Sequence, residues 1–326
     1  MTTHRITTHG RLSVIDRPEK YCWIDVKDAP RAELDALADQ YGINPEHIAD
    51  ILDIDELARI EKEDEYTLLI VRLPVYDARF EVAYYTAPLG ILLFPDRIIT
   101  ICHSDNEVME DLRGGRVKGL DLRNKSAFVL HLLGRAAVVY LRHLKDINRQ
   151  TAAIEHDLQR SVKNNELTQL LSLEKSLVFF TTSLKSNEIL LEKLQASRTM
   201  RFKEDETELL EDVLTDNKQA IEMANIYSDI LAGMMDAFAS VISNNLNIVM
   251  KRLTSISVIL MLSNLIVSTF SMNVETPFTG VQHAFWVITG VAGVASVIGA
   301  FLISDFRPRR RKGLAGPTVS GIVIRH

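Results

Sequence analysis

The chain has 326 residues and a formal net charge of −6. A length of this order holds two or three domains, or a soluble domain with a membrane part, and the mild acidity argues against a general nucleic-acid binder. The average conceals an asymmetry: 27–65 and 203–216 are rich in Asp and Glu, while RPRRRK (307–312) is almost wholly basic.

The opening MTTHRITTHG lacks the apolar core of a signal peptide. YCWIDV (21–26), LLIVRLPVYD (68–77) and GILLFPDRIITIC (90–102) are short apolar, β-branched runs divided by Pro and Gly, as strands are. AELDALADQYG and PEHIADILD predict helices, the first closed by Gly42. Residues 1–125 are therefore expected to form an α/β domain. Cys22 and Cys102 form no C-x-x-C pair and read as ordinary thiols of a reducing compartment. G-x-G-x-x-G, P-loop, H-E-x-x-H and G-x-S-x-G motifs are absent. His4, His9, His47, His103, His131, His143 and His156 show no zinc-ligand spacing. Nothing here supports catalysis, so no enzyme is expected.

Residues 126–252 predict long helices. Proline is missing from 96 to 276 and glycine from 135 to 232, so the chain lacks both helix breakers for about 100 residues. Leu173, Leu177, Phe180, Leu184, Asn187, Leu191 and Leu194 alternate spacings of four and three, as do Leu144, Ile147, Thr151, Ile154 and Leu158. Such seams are coiled-coil-like, and VKNNE (162–166) is expected to turn one helix into the next.

Residues 253–306 carry two uncharged runs, Leu253 to Val274 and Ala284 to Ser304. Each matches the roughly 20 residues that cross the hydrocarbon of a bilayer. Lys251 and Arg252 precede the first run, and Arg307, Arg309, Arg310, Arg311 and Lys312 follow the second, in a basic tail at 307–326. The positive-inside rule places both basic ends in the cytoplasm and the connection 275–283 outside. In the second span Gly290, Gly293 and Gly299 read as close-packing notches, and Trp286 as an interfacial aromatic.

The first span is less apolar than an anchor. Back from Asn273, at a period close to 3.5 residues, Ser268, Asn264, Met261, Ser257, Met250, Asn247 and Asp236 fall near one face of one helix. Polar groups in hydrocarbon need water or a partner. One helix and one lipid-facing neighbour enclose no water, so several copies must do so. A neutral ring of amides, hydroxyls and thioethers suits a cation that keeps its hydration shell, and magnesium gives up its water reluctantly. Asp236 supplies an acidic ring toward the inner end and Glu275 one at the outer mouth. A packed helix with scattered small polar residues is the competing interpretation, and a membrane-anchored scaffold the function that goes with it.

These stretches together resemble the CorA family of divalent-cation channels. The resemblance covers most of 40–311, and its most specific part is 234–274. SMN (Ser271, Met272, Asn273) stands where that family has Gly-Met-Asn, and MMDAFASVISNNLNIVMKRLTSIS (234–257) resembles its pore-helix entry. GINPEHIADILD (42–53) is similar to a further family stretch. The resemblance implies an α+β fold: a cytoplasmic α/β domain, a long helical funnel and two C-terminal transmembrane helices. It implies a homopentamer in the cell membrane with both termini cytoplasmic, taking magnesium inward, with cobalt, nickel or zinc as other cargo. It further implies an outer pore ring at Asn273, pore-facing positions at Asp236, Asn247, Met250, Ser257, Met261 and Asn264, and regulatory magnesium between subunits at Asp212 and Asp77. Ser271 and the following VETPFTGVQH depart from the family pattern. ZntB-like zinc transporters also vary there, which makes proton-coupled zinc transport the rival.

Overall fold

The structure, a computed structural model, describes residues 2–8, 11–160, 164–196, 202–271 and 283–305. It divides into two units, Met1–Phe238 and Ala239–His326.

In the first unit seven strands form one sheet: β1 (Thr2–Thr8), β2 (Arg11–Ile15), β3 (Cys22–Lys27), β4 (Arg59–Lys62), β5 (Thr67–Tyr76), β6 (Tyr84–Leu93) and β7 (Arg97–Cys102). Their order across the sheet is β2-β1-β3-β7-β6-β5-β4, and only β3 and β7 run parallel. The run 90–102 is two strands, not one. The chain reverses through Phe94, Pro95 and Asp96, and Phe94 N donates to Arg97 O, closing the β6–β7 hairpin where Pro cannot extend a ladder. β1, β2 and β4 went unread because TTHRITT, RLSVI and RIEK lack the apolar density of a central strand.

Alternation along the strands divides the core in two. Cys22, Ile24, Val26, Leu68, Ile70, Leu92, Ile99 and Ile101 face α1 (Arg31–Tyr41) and α2 (Pro45–Leu52). Trp23, Leu69, Val71, Leu73, Leu89, Ile91 and Ile98 face α3 (Glu107–Arg113) and the long helices. Burial on both faces is why the central strands are continuous apolar runs. Gly42 closes α1 with φ 66°, a left-handed conformation that favours glycine.

The long helices are α4 (Lys125–Arg160), α5 (Asn164–Ala196) and α6 (Glu204–Phe270). The expected turn at 162–166 is partly helix, since α5 starts at Asn164, and 161–163 lie outside the described residues. The two seams bury one three-helix cluster: Leu144, Ile147, Ile154 and Leu158 with Leu173, Leu177, Phe180 and Leu184, closed by Ala220, Ile221, Ala224 and Leu231 of α6.

Asn187 interrupts that seam for a reason. Its amide accepts from Arg72 N at 2.9 Å and donates to Arg72 O at 2.8 Å, tying α5 to β5. The buried Arg72 guanidinium donates to Ile54 O, Glu56 O and both oxygens of Thr86. The sheet, α4, α5 and the first part of α6 are thus held by the apolar cluster on one face of the sheet, the three-helix cluster and a buried polar clamp.

In the second unit, α6 ends at Phe270 and α7 (Ala284–Asp305) returns beside it. Ser271 N donates to Val267 O and Ser268 O, so Ser271 finishes the last turn. Among the described residues the non-glycine positions of positive φ are Tyr21 and Asp28. Ser271 therefore carries no left-handed strain.

Candidate ion-conduction and regulatory sites

α4 and α6 are both long and apolar enough to cross a membrane, and burial tells them apart. The apolar window of α4 is 61% buried and that of α6 is 0% buried. The first is a core helix of the sheet unit. The second exposes its apolar residues along most of its circumference.

The face of α6 that meets α7 is marked by the half-buried Ile259, Ser263, Ile266 and Phe270. Opposite stand Ile288, Ala292, Ala295, Ser296 and Gly299. Ser263 and Ser296 hydrogen-bond across the pair, and Leu262 Cδ2 lies 3.7 Å from where a β-carbon on Gly299 would be. Gly299 is thus a packing notch. Gly290 and Gly293 have open space beside them and do not serve α6 of the same chain. Phe285 and Trp286 form an exposed edge-on aromatic pair at the start of α7.

At about 100° per residue, Asn247, Met250, Ser257, Met261, Asn264 and Ser268 centre on the side of α6 opposite Ser263. All six are exposed, Met261 to 71%. The polar stripe is therefore not the seam between the two helices. Hydroxyls in apolar helices return their proton to the preceding turn, and Ser257 Oγ donates to Leu253 O at 3.0 Å. That spends the proton of Ser257 and leaves its lone pairs to accept from outside the helix. Amide and hydroxyl oxygens, with the weaker thioether sulfurs, along one exposed face can receive hydrogen bonds from a hydrated cation without stripping it. Asp236, in the first unit, is exposed on α6. Met272, Asn273 and Glu275 lie outside the described residues.

The two expected regulatory acids sit in different surroundings. Asp77, just past β5, is gripped by Arg79: Nε lies 2.9 Å from Oδ1, Nη2 lies 2.6 Å from Oδ2, and Arg79 N donates to Oδ1. These bonds hold the Asp77 carboxyl down at about 2. Asp212 is exposed on α6 and lines a groove of about 370 Å³ with Asp216. Arg116, Lys118, His131 and Arg135 line the same groove, with Arg116 and Arg135 paired to the buried Asp111. Within one chain, then, neither acid belongs to an ion-binding cluster.

The cluster that does form escaped the sequence. His47, Glu61 and Glu63 bring ligand atoms within 4.8 Å of one another, the one such His/Cys/Asp/Glu group among the described residues. His47 is on α2, while Glu61 and Glu63 flank one position at the end of β4, so spacing alone had no means to join them. The usable signal was the alternation Glu61-x-Glu63, which puts two carboxylates on one side of a hairpin.

The chain belongs to the family of CorA-like Mg2+ transporter proteins, whose pattern matches residues 18–310. It is accordingly a membrane transporter of divalent cations and not an enzyme. It is 27% identical over 286 residues to a cobalt/magnesium transport protein CorA of Methanocaldococcus jannaschii, covering 86% of this chain and 89% of that one. It is 23% identical over 285 residues to the CorA of Thermotoga maritima, covering 85% and 80%. The complete CorA magnesium transporter structure from Methanocaldococcus jannaschii superimposes with a TM-score of 0.77, over 96% of this chain and 98% of that one, at 23% identity. The fold is also that of a ZntB cytoplasmic domain from Vibrio parahaemolyticus, with a TM-score of 0.58 at 11% identity, over 75% and 97%.

Proposed function

We propose that this chain carries magnesium into the cell through a homopentameric channel whose wall is the polar face of α6. The observation that carries the proposal is the position of that face. Asn247, Met250, Ser257, Met261 and Asn264 are exposed and turned away from α7, and in hydrocarbon such a face is tolerated only around water. Copies of α6 arranged around an axis supply that water, with α7 outward against lipid. Each magnesium entering down the membrane potential gains roughly 4.6 kcal/mol per 100 mV, twice the value for one charge, so no nucleotide is required.

In this scheme Met272 and Asn273 form the outer rim, Glu275 draws cations to the mouth, and Asp236 attracts them at the inner end. Four parts divide the labour: 1–125 as sensor domain, 126–252 as funnel, 253–306 as membrane hairpin and 307–326 as the basic tail, with both termini in the cytoplasm. The exposed Val178 and Phe179 of α5 and Ile226 and Ile230 of α6 offer apolar surface to neighbouring copies. Regulatory magnesium bridges Asp212 of one copy and Asp77 of the next, closing the pore when internal magnesium is plentiful.

Flux into proteoliposomes tests the wall. Asn264→Leu lowers magnesium uptake at least tenfold, whereas Ser263→Ala, on the α7 side, leaves it within about twofold of wild type. Wild-type uptake in the Asn264 variant would remove this face from the conduction path. The rival cargo is zinc, driven by protons, on the strength of Ser271 in place of the family's glycine. Zinc uptake that collapses with the pH gradient, without magnesium uptake, would replace the magnesium reading. Cobalt and nickel belong in the same assay.

A further inference from the structure

We propose that His47, Glu61 and Glu63 bind one first-row transition-metal dication, of the zinc or cobalt class, between α2 and the β4–β5 hairpin. The site is separate from the conduction face and does not rest on the magnesium reading.

Geometry is the first argument. His47 Nε2 lies 3.1 Å from Glu61 Oε2 and 3.6 Å from Glu63 Oε1. The longer separation is beyond a hydrogen bond. Two ligands on a tetrahedral zinc with bonds of about 2.0–2.1 Å stand about 3.3 Å apart, and both separations bracket that value. A small closing movement of Glu63 completes three ligands and leaves a fourth position for water.

The supporting shell is the second argument. His47 is 5% exposed, which fixes its ring. Its Nδ1 is 2.8 Å from Tyr66 Oη, and the two rings meet edge to face. Tyr66 Oη also accepts Asn44 N–H at 3.1 Å. A lone pair remains on that oxygen for Nδ1–H, the tautomer that leaves Nε2 bare toward the carboxylates. An outer partner on the second ring nitrogen is what metal-bound histidines possess. Arg59 Nε holds Glu61 Oε1 at 2.6 Å, so Glu61 presents Oε2 alone to the ion. Glu63 N donates to Tyr66 O, locking the turn that carries both Glu63 and Tyr66.

Donor chemistry selects the class. One imidazole and two carboxylates favour zinc, cobalt or nickel, whereas magnesium prefers an all-oxygen octahedron rich in water. The competing arrangement is a protonated His47 serving as a cation between two carboxylates, with no metal.

The test is zinc titration of the full-length chain in detergent, with excess magnesium present to fill all-oxygen sites. Wild type takes up one zinc equivalent per chain that Glu63→Gln loses, through an affinity drop of tenfold or more. Glu63 is partly exposed, so its amide variant keeps the fold. Tyr66→Phe, which removes the outer partner together with the acceptor of Asn44 N–H, weakens the same equivalent by roughly tenfold. Zinc also raises the thermal midpoint of the wild type and not of Glu63→Gln. Equal zinc uptake by wild type and Glu63→Gln, or none by either, would overturn the site and leave the imidazolium arrangement.

Discussion

The sheet unit and the α6–α7 hairpin use the same apolar residue types for opposite purposes. In the first, Leu68, Leu69, Ile70, Val71 and Leu73 of β5 are all 0% exposed. In the second, Leu253, Leu260, Leu265, Val297 and Phe301 are exposed by 54% or more. A soluble unit with the second pattern would aggregate. The contrast is that β5 is covered by its own chain, while α6 beyond Ala239 and α7 leave most of their apolar surface uncovered by it. Polar groups follow the same division. In the sheet unit they are spent inward on structure, as with Arg72 and Asn187. On α6 beyond Ala239 Asn247, Ser257 and Asn264 face outward, away from α7.

The largest effect is expected where the sheet unit depends on an inward polar group. Arg72 is 7% exposed, and burial lowers the pKa of its guanidinium from the ordinary arginine value. Its guanidinium satisfies carbonyls from Ile54 and Glu56 in part-buried bonds and the Thr86 carbonyl in a buried one. Arg72→Met keeps much of the volume but strands those acceptors, at a cost of roughly 3 kcal/mol or more. Chemical denaturation followed by tryptophan fluorescence reports it, since Trp23 lies in the same core. A loss below about 1 kcal/mol would mean that the carbonyls find other donors, and the clamp would lose its importance. The α6 stripe variants, by contrast, leave this transition unmoved.

Next comes a pH effect confined to the sheet unit. His143 on α4 is buried against Phe180, Tyr84 and Tyr76, with ring centroids 5.4–6.3 Å away. Its Nδ1 finds no hydrogen-bond partner. Burial pushes its pKa down to about 4, overcoming the attraction of nearby Glu107. Because the folded value lies below the unfolded one of about 6.5, the unfolded chain binds more protons between the two. Stability is full above about pH 6.5 and falls as pH drops toward 4, by about 3 kcal/mol from this group. His143→Phe flattens that part of the curve. An unchanged pH dependence in the variant would assign the loss to other groups.

How far the sequence carried this picture follows from the same contrast. Charge-free runs and a period near 3.5 mark α6 and α7 because the hairpin interacts with a solvent, and solvent preference is written residue by residue. The helical seams were legible for the same reason. Asn187, which looked like a polar flaw in a leucine seam, is explained only by its partner 115 positions away on β5. Edge strands such as RIEK failed because an edge needs little apolar surface. His47, Glu61 and Glu63 failed because a helix and a hairpin must meet before they are a cluster. Long-range pairing in the sheet unit is thus the illegible part, and the outward face of α6 the legible one.

The smallest expected change in stability tests whether a polar group outside the α6–α7 hairpin can await a partner. Asp77 is the candidate: it is proposed to bridge to Asp212 of another copy, yet Arg79 holds both its oxygens. Arg79 is fully exposed to solvent and surface ion pairs contribute little, so Arg79→Ala leaves the unfolding transition essentially where it was. Its effect falls on ion competition. With the guanidinium gone, magnesium meets an uncompensated carboxylate, and closure of the channel occurs at lower internal magnesium by a factor of several. The Asp77 carboxyl stays ionised down to about pH 2 in the native chain. The shift therefore comes from removing the competing cation, and it persists at pH 8 as at pH 6. Flux in proteoliposomes loaded with graded internal magnesium measures it. If the inhibition curve of Arg79→Ala superimposes on that of wild type, Asp77 belongs with Arg72 as a structural group and Asp212 needs another partner.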